Sequence, residues 1–503
     1  MADDSYDVVV IGAGNAGLVA AVAASEAGCR TLVVEAAPAP ERGGNSRFAS
    51  GVYRIAHAGE QDLRRIVEDD DLPWDRLTIV PYPAERYQAD LGRASGGHSD
   101  PGLVAELVHG SKSAVEWLKA HGVSWTLSLV KMSEAMAAGG PAAVSLPVGG
   151  ELVVRGGGKQ LVEDLFSAAQ AAGVDVLYGA SASRLVTDGR QVSGVMVRSG
   201  ADDKLIQAPA VVLASGGFEA SPEARARYLG AGWDLVRVRG SRFNTGAMLE
   251  RALEAGAASS GQWSGAHAVP VDIAAPALGD LNVGDSSARY SYPYGVMVNR
   301  DGRRFLDEGS DLIAFTYAEI GKQILAQPHV IAFQVFDAKG IPFLEPRYST
   351  ASPAEAESIS ELAKQAGISA DGLTETLAAF NAACGRSEGF DPTRKDGVAS
   401  RPTGQPAKSN WALPIDKPPF RAYAVTCGIT FTFGGLAVNQ RAEVLDDSGR
   451  PIAGLYAAGE IAGGFFAFNV PSGAGLARGA VFGRVAAEGA AAYLADQERA
   501  RGD

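Results

Sequence analysis

The sequence predicts an α/β protein: a doubly wound parallel sheet that opens at the N-terminus, resumes near the C-terminus, and is interrupted by an α+β insertion. Three observations predict it. Residues 6–35 run as an apolar stretch, a glycine turn, an Ala-rich stretch and a second apolar stretch, the order of one βαβ unit. Short apolar runs without polar alternation recur at 210–214 and ahead of Ala458-Gly459-Glu460, as strands buried on both faces require. Between 268 and 410 that texture is lost, and residues 268–295 carry many Pro, Asp, Ser and Tyr with little periodicity.

In chain order, residues 6–11 read as a strand, 18–27 as a helix and 31–35 as the next strand. Residues 36–60 are rich in Gly, Pro, Ser and Arg and read as a long functional loop. Helical spacing follows at 102–121 and 159–172, the second led by Gly156-Gly157-Gly158. Residues 174–178 read as a strand, and 182–198 as a hairpin turning at Asp188-Gly189. The insertion holds a strand at 295–300 and helices near 313–327 and 359–382, and the chain closes on a helix at 475–495. The expected division is 1–267 and 411–503 for the doubly wound domain and 268–410 for a cap.

Composition narrows the function. The chain has 503 residues, 46% hydrophobic and 20% charged, ordinary for a globular protein of two or three domains. A net charge of −13 disfavours nucleic acid and anionic lipid as partners. The three cysteines (Cys29, Cys384, Cys427) are far apart, and the six histidines show no ligand spacing, so no disulfide framework and no metal site is expected. No apolar run reaches about 18 residues free of charges and breakers, and no leader pattern precedes the first strand. The expectation is a cytoplasmic protein without a membrane span.

Gly12-Ala13-Gly14-Asn15-Ala16-Gly17 is the dinucleotide fingerprint in its full context of strand, turn and helix. Gly12 permits the turn, Gly14 the approach of a pyrophosphate, and Gly17 close helix–strand packing. The N–H groups at the helix start, Asn15 and Ala16 among them, offer partial positive charge to phosphate. Glu35, followed by Ala36, ends the second strand and suits the hydroxyls of an adenosine ribose. No second fingerprint occurs mid-chain. The C-terminal Gly459-Glu460 turn, and the later Pro471-Ser472-Gly473-Ala474-Gly475-Leu476, instead place glycine-rich backbone where a flavin and its ribityl arm would lie. The cofactor expected is FAD.

Together these stretches resemble the flavoprotein family of fumarate reductase and succinate dehydrogenase, and within it tricarballylate dehydrogenase and its relatives. The resemblance is carried by VVVIGAGNAGLVAAVAASEAG, GGNSRFASG, GGGKQLVEDL, VVLASGGFEA, RGSRFNTGAMLERALEAGA, VMVNRDGRRFLDEG and GLYAAGE, in family order along nearly the whole chain. It implies a Rossmann-like FAD-binding domain of the glutathione-reductase type with a mobile inserted cap. It implies that Gly43, Gly44, Asn45 and Ser46 wrap the flavin, that Ala182 meets the adenine, and that Ser215 and Gly216 lie beside the pyrophosphate. Some relatives tether FAD through a histidine in the 43–51 loop. This chain has none there, His57 being nearest, so non-covalent FAD is expected.

The catalytic side departs from the family pattern. The histidine before a Thr-x-Gly-Gly turn is replaced by Phe431, and the arginine before the last glycine-rich turn by Val470. A tyrosine carried there by the ketosteroid dehydrogenases is also replaced by Val470. Glu308, in Arg304-Phe305-Leu306-Asp307-Glu308, matches a proton-relay carboxylate, or else pairs with Arg304. Lys339 lies near the proton-donating arginine of relatives, or else is a solvated lysine. Tyr317, Arg242 and His267 complete the catalytic candidates, with Arg239, Arg47 and Arg421 as further carboxylate binders. The expected reaction moves hydride between a substrate carbon and flavin N5 across a CH–CH bond. The substrate is a small molecule: a tricarballylate-like acid, or alternatively a cyclic or steroid-like ketone. A flavin oxidase is a further alternative. No haem or iron–sulfur motif is present, so electrons pass to a separate acceptor or to oxygen.

Overall fold

A computed structural model describes residues 5–67, 72–130, 144–146, 152–188, 190–385 and 388–502. Six strands form the main sheet in the spatial order Glu443–Leu445, Pro451–Ala457, Ala210–Leu213, Val8–Ile11, Thr31–Glu35 and Asp175–Tyr178. All pairings are parallel except the first, which is antiparallel. Val8, Val9 and Val10 are completely buried, because the sheet is covered on both faces, which is why this strand has no polar alternation.

The first helix, Asn15–Glu26, begins three residues earlier than its apolar pattern suggests. Leu18 N–H already bonds the Gly14 carbonyl at 2.9 Å, so the last fingerprint glycine lies inside the helix. Helix Ala474–Gly502 lies against it. A Cβ at Gly483 would stand 2.6 Å from the Ala16 carbonyl oxygen, so glycine sets the depth of that contact.

Other elements differ from expectation for local reasons. The 182–198 hairpin is Ala180–Thr187 with Val192–Ser199, extended by a third strand, Asp202–Gln207. That strand is mostly exposed and charged, which hides it from an apolar pattern. Asp188 accepts N–H bonds from Arg190 and Gln191 at the turn, both 2.9 Å; Gly189 lies outside the described residues. The 359–382 stretch is two helices, Ile359–Ala366 and Ala370–Ala382. Gly367 ends the first at φ +72°, and the Ser369 hydroxyl caps the second by accepting from Gly372 N–H at 3.2 Å.

Within residues 268–410, strands Val296–Val298 and Ile331–Phe336 pair antiparallel. The long strand Phe420–Thr432 pairs with strands on both sides of the expected 267/268 division. Its first half pairs with Ile331–Phe336 and Ala354–Ala356, and its second half with Ala266–Asp272. The 267/268 division therefore falls within a strand, and 410/411 just ahead of one that both parts share. Among the described residues no helix is long and apolar enough to cross a membrane.

Candidate functional site

A cavity of about 570 Å³ opens along the C-terminal ends of the parallel strands, where open α/β sheets bind ligands. Its adenosine end is built by Glu35, Ala36 and Ala182. Glu35 is 5% exposed. Its two oxygens accept N–H bonds from Ala13 and Ala37, each 2.7 Å. Burial pushes its pKa up, and those two bonds oppose the shift. They fix the carboxylate's direction and leave lone pairs for ribose hydroxyls.

The middle of the cavity is backbone. Gly12, Gly14, Asn15, Ala16, Ser215, Gly216 and Gly459 line it. The first helix contributes N–H groups that precede its first internal acceptor. A Cβ on Gly14 would find no atom closer than 3.6 Å, so this glycine leaves room on the cavity side. Gly17 and Gly43 do not line the cavity. They allow close packing beneath it, on Gly12 and on Val162.

At the far end Gly44, Asn45 and Ser46 meet Ser472, Gly473, Gly475 and Leu476. Ser46 Oγ accepts from Asn15 N–H at 3.0 Å, and Asn15 Nδ2 donates to the Leu476 carbonyl at 2.8 Å. One hydrogen-bonded chain thus joins the first turn, the 43–51 loop and the last helix. Asn45 donates to Glu219 and to the Thr430 carbonyl, at 2.5 and 2.7 Å. Glu460 lines the cavity, but its Oε1 accepts from Thr432 N–H at 2.8 Å. Glu219 and Glu460 are hydrogen-bonded to each other, and burial raises both pKa values. Two buried carboxyls in contact hold a proton between them. The extended shape, the phosphate-sized backbone cradle and the ribose carboxylate fit FAD.

Beyond the flavin end lies a smaller chamber. Of the five catalytic candidates the structure brings two into it, His267 and Tyr317. Their rings meet edge to face at 4.9 Å, and His267 stacks on Phe431 at 4.9 Å. His267 is 2% exposed, and its Nδ1 has no hydrogen-bond partner. Burial, then the nearby Arg239 charge, hold its pKa well below the usual value, so the imidazole is neutral. Tyr317 is hydrogen-bonded to Ser472. Burial raises its pKa, against the opposing pull of Arg239 and Ser472.

The other three lie elsewhere. Arg242 is exposed and pairs with Glu41 at 2.8 Å. Glu308 is 1% exposed, its carboxylate taking Arg304 at 2.5 Å and Met297 N–H at 2.7 Å. A bidentate partner this close commits the group to structure. Lys339 pairs with Asp337 and Asp416, and Asp337 also gathers the Asp416 and Lys417 N–H groups. None of the three lines the cavity.

The chamber instead gains Arg54, Asp285, Tyr290, Glu345 and Arg347, together with Arg239. Asp285 bridges Arg239 and Arg347, the latter at 2.7 Å, and Arg347 also pairs with Glu345 at 3.0 Å. Only Arg239 was legible as a site residue. Asp285 and Tyr290 sit in the irregular 268–295 stretch, and Arg347 in a Pro-flanked turn, where no motif marks them.

Residues 7–476 match the family model of the FAD binding domain. The chain is 29% identical to the probable fumarate reductase Ifc3 of Shewanella frigidimarina, over 98% of this chain and 76% of that one. It is 28% identical to a 3-oxosteroid 1-dehydrogenase of Mycobacterium tuberculosis, over 99% of both. Its fold matches the open conformation of a flavocytochrome c3 fumarate reductase with a TM-score of 0.72 and 27% identity, over 97% of this chain and 78% of that one. The chain belongs to the FAD binding domain family and is an FAD-dependent oxidoreductase of the kind that acts on CH–CH bonds.

Proposed function

We propose that this oxidoreductase desaturates, or in reverse saturates, the carbon–carbon bond beside a ketone carbonyl in a substrate with an apolar body. The observation that carries the reading is the state of the chamber's cations. Arg239 and Arg347 share Asp285, and Arg347 holds Glu345 as well. These two arginines are thus balanced by two carboxylates, and a tricarboxylate would find both already paired. Phe431 and Val470 line the same chamber and offer apolar surface instead. The name and coverage of the 3-oxosteroid 1-dehydrogenase relative support this reading. A tricarballylate-like acid is the second reading, favoured by the arginines themselves and by the fumarate reductase relatives.

FAD bound here supplies a hydride acceptor or donor at flavin N5. The protein's own groups do the rest. His267 is neutral, and its ring, which lines the chamber, offers a neutral N–H donor that stabilises enolate character on the substrate carbonyl. Tyr317 exchanges the proton on the neighbouring carbon. Arg239 and Ser472 favour its phenolate while burial keeps the phenol as the resting form. Residues 268–410 act as the cap that excludes water. Electrons leave to a separate acceptor or to oxygen.

Anaerobic mixing of the oxidised holoenzyme with a panel of cyclic ketones and of saturated di- and tricarboxylates tests the reading. Loss of the oxidised flavin absorbance with ketones is the expected result; bleaching by the carboxylates alone would overturn it.

FAD is held without a covalent bond in this reading. His57 is 4% exposed, accepts Gly59 N–H at its Nδ1 at 3.1 Å, and does not line the cavity. Acid precipitation should release all the flavin into the supernatant; yellow colour retained in the washed pellet would contradict this.

A further inference from the structure

The Arg239–Asp285–Arg347 bridge is an unusual thing to place inside a substrate chamber. Arg239 is 8% exposed at its side chain, Asp285 17% and Arg347 23%. Arg239 belongs to the FAD-binding part and also donates to the Phe48 carbonyl at 3.3 Å. Asp285 sits on the short helical turn Gly284–Ser287 and Arg347 on the turn Pro346–Thr350, both in the insertion. Each oxygen of Asp285 takes a different arginine. That is the arrangement a bound substrate carboxylate would adopt between the same two guanidinium groups. Tyr290 lies under Arg347 with its ring centroid 5.0 Å from the guanidinium carbon, which holds the arginine in place from the other side.

We infer that Asp285 is a specificity-determining residue that occupies, with its own carboxylate, the anion site between Arg239 and Arg347 and so excludes dicarboxylate substrates. The inference rests on the ketone reading above. A side chain tethered in the site acts as a permanent competitor: an incoming carboxylate must displace it and leave it unpaired in a poorly hydrated chamber. A ketone asks for neither. Glu345, on the outer side of Arg347, reinforces the neutralisation.

The test is titration of the oxidised holoenzyme with fumarate, read as the shift of the flavin absorption bands, for the natural chain and for Asp285→Asn. Amide replacement keeps the shape and removes the charge. Fumarate affinity should rise by about tenfold or more, the worth of one charge-assisted hydrogen-bond pair made available. An unchanged or weaker affinity overturns the inference. Should Asp285→Asn not fold, Asp285→Ala vacates the anion site altogether. It should tighten fumarate by about tenfold as well, and no change there overturns the inference equally. Ketone bleaching, run in parallel, separates the two readings. Unchanged fumarate affinity with intact ketone bleaching sinks the masking role alone. Tightened fumarate binding with no ketone bleaching sinks only the ketone substrate.

Discussion

Gly17→Ala is expected to yield a protein that no longer retains FAD and melts well below the natural chain. The Cβ it adds would stand 1.9 Å from the Gly12 carbonyl oxygen and 3.0 Å from the Gly12 carbonyl carbon. Both are backbone atoms, so no rotamer relieves the clash. Gly12 cannot yield either. Its φ is +102°, and the backbone of Ala214 is packed against the side where its own Cβ would be. The first helix must therefore lift off the sheet, which moves the N–H groups that face the pyrophosphate and breaks the contact with the last helix. Overpacking costs about 1–3 kcal/mol, and the upper end is expected where the site cannot yield. The ratio of flavin to protein absorbance after gel filtration reads the first effect, and a thermal melt the second. Gly92→Ala is the matched control. It lies in helix Ala84–Ala94 with nothing within 4 Å of the added methyl, and should be neutral or slightly stabilising. A Gly17→Ala protein with full flavin content and an unshifted melt would refute the packing argument.

Tyr317→Phe is expected to lower kcat by a factor of about 10² to 10⁴, the usual worth of a positioned proton-transfer group, with FAD content and the visible spectrum unchanged. The phenol is chosen because it is paired with the Ser472 side chain, in the glycine-rich turn at the flavin end. Arg239 supports its ionised form, and the His267 ring packs against it at 4.9 Å. The phenylalanine variant keeps the ring contacts with His267 and Tyr290, so it removes the proton and little else. Steady-state and single-turnover rates should fall together. A kcat within about twofold of the natural enzyme would assign Tyr317 to packing.

The sequence and the structure divide this site along a physical line. The adenosine and pyrophosphate end was readable because its parts are close in the chain and its demands are on backbone. Gly12, Gly14, Gly17 and Glu35 form one short unit, and their chemistry needs only a turn, a helix start and a carboxylate at a strand end. The C-terminal flavin turn, Ser472 to Leu476, was readable for the same reason. Two catalytic candidates, His267 and Tyr317, lie in the chamber. Glu308 and Lys339 do not, because a charged residue in a matching motif says nothing about its counter-ion. Arg304 claims the first, and Asp337 with Asp416 the second.

By itself, then, the chain determined its doubly wound sheet, its FAD and the backbone that holds the cofactor, all built from short-range pattern. Tertiary structure alone decided the substrate chamber. Asp285 meets Arg239 across 46 residues and Arg347 across 62, through a stretch without regular periodicity. Charge neutralisation in a buried site is a property of distances between side chains, and no spacing along the sequence encodes it.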